Sequence, residues 1–336
     1  SAASDVYKRQ ILDREILKKG KARAVVINSG NANAATGKQG IEDARTVERE
    51  AEKLLGLGED EVFVCSTGVI GQRLPVDKVL QGIREIIPAK LAKENGSEAA
   101  YAIMTTDTVR KECAYELQLS TGTVKIGAMA KGSGMIHPNM ATMLVFITTD
   151  CAISPAMLQK ALSTDIANTF NMVSVDGDTS TNDMVTVLAN GLAGNAEITA
   201  EGEDFTAFMQ ALNTVTVYLC RCIAGDGEGA TKLLECKVSG AATLDIAKTV
   251  AKSVICSSLT KAAMFGADAN WGRVLCAIGY SGAPVDVSRI DVQFASKAGT
   301  ILVCKDGAGV DFSEEEAKKI LLELSLIHIS EPTRLG

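Results

Sequence analysis

The chain has 336 residues, 46% of them hydrophobic, and a formal net charge of −7, which argues against nucleic acid or an anionic membrane as its partner. No apolar run approaches the roughly 20 residues that cross a bilayer and no signal-peptide pattern occurs, so a cytoplasmic location is expected. Nine cysteines without a C-x-x-C pair read as thiols of a reducing compartment; Cys220 and Cys222, the one close pair, lack companion histidines, so no metal is expected.

In chain order, residues 22–27 read as a first strand, and Ala44, Val47, Ala51, Leu54 and Leu55 repeat at helical spacing up to Gly56. A strand over 62–64 follows, and Pro75 opens a helix through Val79, Ile83 and Ile86. Residues 124–129, 143–148 and 185–189 read as strands, with a helix opened by Pro155 between the last two. Further strands are expected over 215–224 and 290–294, and Ser313 with Glu316 gives a capping-box pattern before a last helix. The expected architecture is α/β in layers. No repeat, low-complexity tract or linker marks an independent domain boundary.

The segment Ala128-Met-Ala-Lys131-Gly-Ser-Gly-Met-Ile-His137-Pro138-Asn-Met-Ala141-Thr142-Met-Leu-Val-Phe146 carries the most chemistry. It sets Thr142 at the start of an apolar run, straight after a loop punctuated by glycine and proline. A threonine hydroxyl is a weak nucleophile and needs a base within hydrogen-bond reach. If the chain were cut before Thr142, the freed α-amine, which titrates near pH 8, would supply that base. Only His137 and His328 are available for any Ser-His-Asp arrangement. Taken alone, Ala-Thr before an apolar run reads more simply as a strand entered from a loop.

Other glycine-rich stretches lead elsewhere. Residues 225–232, Gly-Asp-Gly-Glu-Gly-Ala-Thr-Lys, lack phosphate-loop spacing, and their acidic residues would repel phosphate, so a nucleotide site is rejected. Asp176, Asp178 and Asp183 lack the terminal glutamate of an EF-hand loop, so 175–183 reads as a structured loop lining or supporting a site.

Seven blocks together carry a resemblance. They are Val26-Ile-Asn28-Ser-Gly-Asn31-Ala-Asn33, Cys65-Ser-Thr67-Gly68, Met104-Thr-Thr-Asp107-Thr, Lys131 to residue 144, Val175 to Asp183, Gly227-Glu228-Gly-Ala-Thr-Lys232 and Asn270-Trp-Gly-Arg273. In this order they resemble the arginine-biosynthesis glutamate N-acetyltransferase family, also called ornithine acetyltransferase or ArgJ. The resemblance implies an N-terminal-nucleophile-like, ArgJ/DmpA-type layered sandwich, cut by the chain itself between Ala141 and Thr142. Residues 11–141 would become an α chain and 142–323 a β chain, which pair again as a heterotetramer of two α and two β chains.

The resemblance further implies that Thr142 takes the acetyl group of N2-acetyl-L-ornithine and passes it to L-glutamate in a ping-pong reaction. Thr67 and Gly68 would form the oxyanion hole, in a Ser-Thr-Gly turn, and Thr106, Lys131, Thr142 and Glu228 would bind substrate. Thr105 and Thr108 stand close enough to Thr106 to leave that register open. No cofactor is implied, and whether acetyl-CoA also serves as donor is left open. A self-processing aminopeptidase or amidase would use the same nucleophile and hand the acyl group to water; a binding module would show neither cleavage nor an acetyl-enzyme.

Residues 1–10 and 324–336 look like in-frame translations of the transposase adapters used in DNA library preparation, and are expected to stand outside the native fold. The family pattern begins before and continues beyond the residues between them.

Overall fold

A computed structural model describes residues 8–90, 95–137, 143–178, 180 and 182–332. The chain divides into two compact units, one ending at Glu228 and the other built mainly from the residues after it, with Met172–Gly177 belonging to the second. The sequence suggests no such boundary, because the crossing lies inside the glycine-rich 225–232 stretch rather than in a linker.

In the first unit the order is α1 (Lys8–Lys19), β1 (Ala24–Asn31), α2 (Gly37–Leu55), β2 (Val62–Val69), α3 (Val76–Lys90), α4 (Gly96–Ala102), β3 (Lys111–Leu119), β4 (Gly122–Lys131), β5 (Leu144–Thr149), α5 (Pro155–Ile166), β6 (Met184–Ala189) and α6 (Glu203–Gly225). The helix ends follow local chemistry. Gly56 takes φ 66° and closes α2 with its N–H on the Lys53 carbonyl, while the Ser154 side chain accepts the Met157 N–H ahead of Pro155.

β1 and β2 form a parallel pair, with Ser29 opposite Thr67 and Gly30 opposite Gly68. β3, β4, β5 and β6 form a four-stranded sheet in that order, antiparallel except for the β5–β6 pair. Cys65, Ile103, Leu144 and Phe146 are buried together, with Val25, Ile27, Met129 and Met184 packed on them. That shared core lays the β1–β2 pair against the larger sheet. Ala44, Val47, Ala51, Val62, Val64 and Ile83 fill the opposite side of the pair beneath α2 and α3.

Residues 215–224 are not a strand but the last turns of α6. The run Val215-Thr-Val-Tyr218 is rich in β-formers, yet its burial has helical period: Phe208, Leu212, Val215, Leu219 and Ile223 face inward, while Val217 and Tyr218 are exposed. Burial against the neighbouring β3 and β4 overrides local propensity here. β3 itself has no counterpart among the strands expected from sequence.

The second unit contains β7 (Leu233–Val238), α7 (Leu244–Cys256), α8 (Ser258–Phe265), α9 (Trp271–Gly279), β8 (Ile290–Ser296), β9 (Gly299–Lys305), β10 (Ala308–Gly309), α10 (Glu314–Leu321) and β11 (Ser325–Pro332). Its five-stranded sheet runs β10-β9-β8-β11-β7, and its core gathers Val254, Val274, Ile278, Val292, Phe294 and Ile320. Side chains of Thr243, Ser257, Asn270 and Ser313 cap α7 to α10. Within residues 324–336, Ser325–Pro332 form β11, which runs parallel to β7 and antiparallel to β8. Among the described residues no helix is long and apolar enough to cross a membrane.

Candidate functional site

Two walls of the first unit hold the residues singled out from sequence. The first is the end of the β1–β2 pair. β2 continues through Val69 rather than turning after Val64, because β1 pairs with it residue by residue; Thr67 and Gly68 therefore sit in strand, not in the expected turn. Thr67 is fully buried, and its Oγ1 has no hydrogen-bond partner among the described residues. Gly68 takes φ 128°, and a Cβ there would overlap the Gly30 carbonyl and lie 2.7 Å from the Asn31 nitrogen. Only glycine permits this conformation and this approach of the two backbones.

The asparagine block at the end of β1 frames that wall. The Asn28 side chain accepts from Ser66 Oγ at 2.7 Å and donates to the Asn31 carbonyl at 2.8 Å. Asn31 donates to the Gln72 and Arg73 carbonyls, each at 3.2 Å, and Asn33, at φ 46°, donates to the Gly40 carbonyl at 2.8 Å. Each amide satisfies backbone that a turn leaves unpaired.

The second wall is charged. Lys111, the first residue of β3, is 1% exposed and its ammonium lies 2.6 Å from Asp107 Oδ1 and 2.5 Å from Asp226 Oδ2. Asp107 also accepts the Gly132 N–H at 2.7 Å, and Asp226 accepts from both the backbone N–H and the hydroxyl of Thr108. Burial works against ionisation of both carboxyls, but Lys111 and these donors outweigh it and hold both below the ordinary aspartate value. The network ties the 105–108 loop, β3, the end of β4 and the end of α6 into one body.

Lys131 closes β4 just beyond this network. It is 2% exposed, and among the described residues its ammonium has one carboxylate within ion-pair reach, Asp107 at 3.8 Å. Burial pushes its pKa down, opposed chiefly by Asp107 and less by Asp183 and Glu228. Thr106 is exposed and shares a 2.7 Å hydrogen bond with the buried Ser133 hydroxyl. Glu228 is exposed; its N–H donates to the Ser133 carbonyl at 2.7 Å, and its carboxylate covers Gly134 so closely that any Cβ there would collide with it. Thr106, Lys131 and Glu228 are thus gathered around residues 131–134.

Ala141 and Thr142 lie outside the described residues. The residue that follows is described: Met143 is 2% exposed, and a Cβ on Gly132 would stand 3.6 Å from its Cα, which puts Met143 beside the end of β4. Sequence reasoning passed over Lys111, Asp107 and Asp226. The available signal was a lysine heading a strand and an aspartate inside each of two small-residue blocks, patterns that solvated residues share. Among the described residues no group of three or more His, Cys, Asp or Glu is placed to share a metal ion.

Comparison with known proteins bears on the same residues. The ArgJ family pattern matches residues 8–331. The chain is 50% identical over 319 residues to the arginine biosynthesis bifunctional protein ArgJ of Caldanaerobacter subterraneus subsp. tengcongensis, covering 95% of this chain and 79% of that protein. It is 52% identical over 317 residues to the protein of the same name from Symbiobacterium thermophilum, covering 94% and 78%. The crystal structure of the arginine biosynthesis bifunctional protein from Bacillus halodurans superposes with a TM-score of 0.54 at 46% identity, covering 57% of this chain and 89% of that one. Matches of this identity and extent, on a fold of the same mixed α/β kind, establish that the chain belongs to the ArgJ family.

Proposed function

We propose that this protein is an acyltransferase of arginine biosynthesis that moves an acetyl group from N2-acetyl-L-ornithine to L-glutamate through an acetyl group on Thr142, after cutting itself between Ala141 and Thr142. The observation that carries the reading is the buried Thr67 hydroxyl with no partner among the described residues. A buried, unsatisfied donor is costly in a resting protein and becomes useful when an oxyanion develops in front of it. Gly68, whose backbone Gly30 approaches closely, supplies the neighbouring donor of that oxyanion hole.

The charged wall fits an amino-acid substrate. Lys131, a buried ammonium with one carboxylate within ion-pair reach among the described residues, suits the substrate's carboxylate; Glu228 suits the distal ammonium of ornithine; Thr106 adds a hydroxyl beside them. The relatives' name, bifunctional, agrees with acetyl-CoA as a second acetyl donor to glutamate. In this reading the α and β chains assemble as two of each, in the cytoplasm.

The test is the mass of the purified, denatured protein beside that of Thr142→Ala, together with an assay of acetyl transfer to glutamate. Two fragments fitting a cut after Ala141, absent in the variant, with N-acetylglutamate formed, is the expected result. A folded but uncut wild-type chain would refute the reading, and a cut chain that releases only acetate would make it an amidase.

A further inference from the structure

The 175–183 loop, read from sequence as supporting the site, ends in two residues whose contacts are more specific than support. Asn182 is 4% exposed, and its Nδ2 donates both to the Ala32 carbonyl at 2.5 Å and to the Ser66 carbonyl at 2.8 Å. It thereby ties the turn after β1 to β2 at the residue just before Thr67. Asp183 is 3% exposed, and its Oδ1 accepts the Met143 N–H at 2.8 Å. The Met143 carbonyl in turn accepts the Met184 N–H at 3.0 Å. Residue 143 is therefore held at both its nitrogen and its oxygen, one residue beyond Thr142.

Two consecutive residues thus grip two separate strands, and their Cα atoms are about 3.8 Å apart by covalent geometry. The side chains of two neighbouring residues thus link the strand of Thr67 and Gly68 to the start of β5. The geometry points to Asn182 and Asp183 as positioning residues for the proposed reaction, Asn182 aligning the oxyanion donors through Ser66 and Asp183 aligning the nucleophile through Met143. This rests on the transfer chemistry proposed above and adds two residues that act through the backbone of their neighbours.

In Asp183→Ala the Met143 amide loses its acceptor, and in Asn182→Ala the Ser66 carbonyl loses its donor. Each variant is expected to lower kcat by about 10- to 100-fold while KM for either substrate changes less than about threefold, since small misplacement of reacting groups costs rate more than binding. Asp183→Asn keeps an oxygen able to accept the Met143 N–H and is expected to recover most of the loss. Amide hydrogen exchange at Met143, which needs no turnover, should quicken about tenfold or more in Asp183→Ala and return toward wild type in Asp183→Asn. Unchanged kcat, a loss confined to KM, or exchange unaltered in Asp183→Ala would overturn the inference. A wild type without acetyl transfer would refute the proposed reaction, and the exchange measurement would still judge the grip on Met143. If one alanine variant fails to fold, the other decides; if neither folds, the pair is a structural brace and the positioning role is rejected.

Discussion

The two walls of the proposed site are built on opposite electrostatic principles. The end of the β1–β2 pair is neutral: amides and hydroxyls of Asn28, Asn31, Asn33 and Ser66 pair with one another and with backbone, leaving the Thr67 hydroxyl over. The wall around β4 is ionic: the Lys111 ammonium bridges the Asp107 and Asp226 carboxylates in its interior, the buried Lys131 lies 3.8 Å from Asp107, and Glu228 is exposed beside Gly134. The division fits the two tasks of acyl transfer. A charged amino acid is held equally well before and during reaction, so full charges can grip it, whereas donors facing a developing oxyanion must be worth more in the transition state than in the ground state.

The harshest way to break the comparison is to unbalance the ionic wall. Lys111→Met fits the same channel but leaves two buried carboxylates facing each other. Removing one partner of a buried charge network costs about 3–5 kcal/mol, so denaturant unfolding of the variant at neutral pH is expected to show a loss of that size. The pH dependence should change sign. In the wild type both carboxyls have lowered pKa values, so their contribution is full above the ordinary value of 3.8 and drains away as pH falls below it. In the variant, protonation relieves repulsion, and acid should narrow the gap to wild type. A gap constant from pH 4 to 8 would show that the two carboxylates do not depend on Lys111.

A smaller effect is expected at the neutral wall, and it is geometric. Gly68→Ala asks a residue with a Cβ to adopt φ 128° and to overlap the Gly30 carbonyl. Strain of this kind costs about 1–3 kcal/mol, and the β1–β2 pair must open to admit the methyl group. Calorimetric melting should report the loss in stability. A variant as stable as wild type would mean that the close approach of β1 and β2 is not a constraint.

The family resemblance names residues on both walls, Thr67 and Gly68 on the neutral one and Thr106, Lys131 and Glu228 on the ionic one, but the buried network behind the ionic wall was not legible in the sequence. Apolar runs announce β1, β2 and β4 to β6, and Gly56 and Pro155 mark helix ends by local chemistry alone. Thr67 and Gly68 are named through the family resemblance, and the strand that holds them reads from sequence as a turn. Lys111 is not named: its partner Asp226 is 115 residues away, and nothing near a lysine at a strand start says that it is buried. The helical 215–224 segment was hidden for a related reason, since β-branched residues dominate it and only contact with β3 and β4 reveals which face is inside. Long-range partners decide both cases, and single-residue preference does not contain them.

The subtlest test separates function from stability within the neutral wall. Thr67→Val keeps the shape of the side chain and removes a hydroxyl that has no partner among the described residues. Because a buried polar atom without a partner carries an unrecovered desolvation cost, the variant should be no less stable than wild type and gain up to about 1 kcal/mol. Its kcat, by contrast, should fall about 100- to 1,000-fold if the hydroxyl is an oxyanion donor. Lys111→Met would then lose stability by breaking a satisfied network, and Thr67→Val would lose activity by removing an unsatisfied donor. A Thr67→Val protein that loses stability without losing rate would place the hydroxyl among the structural groups and remove the contrast between the walls.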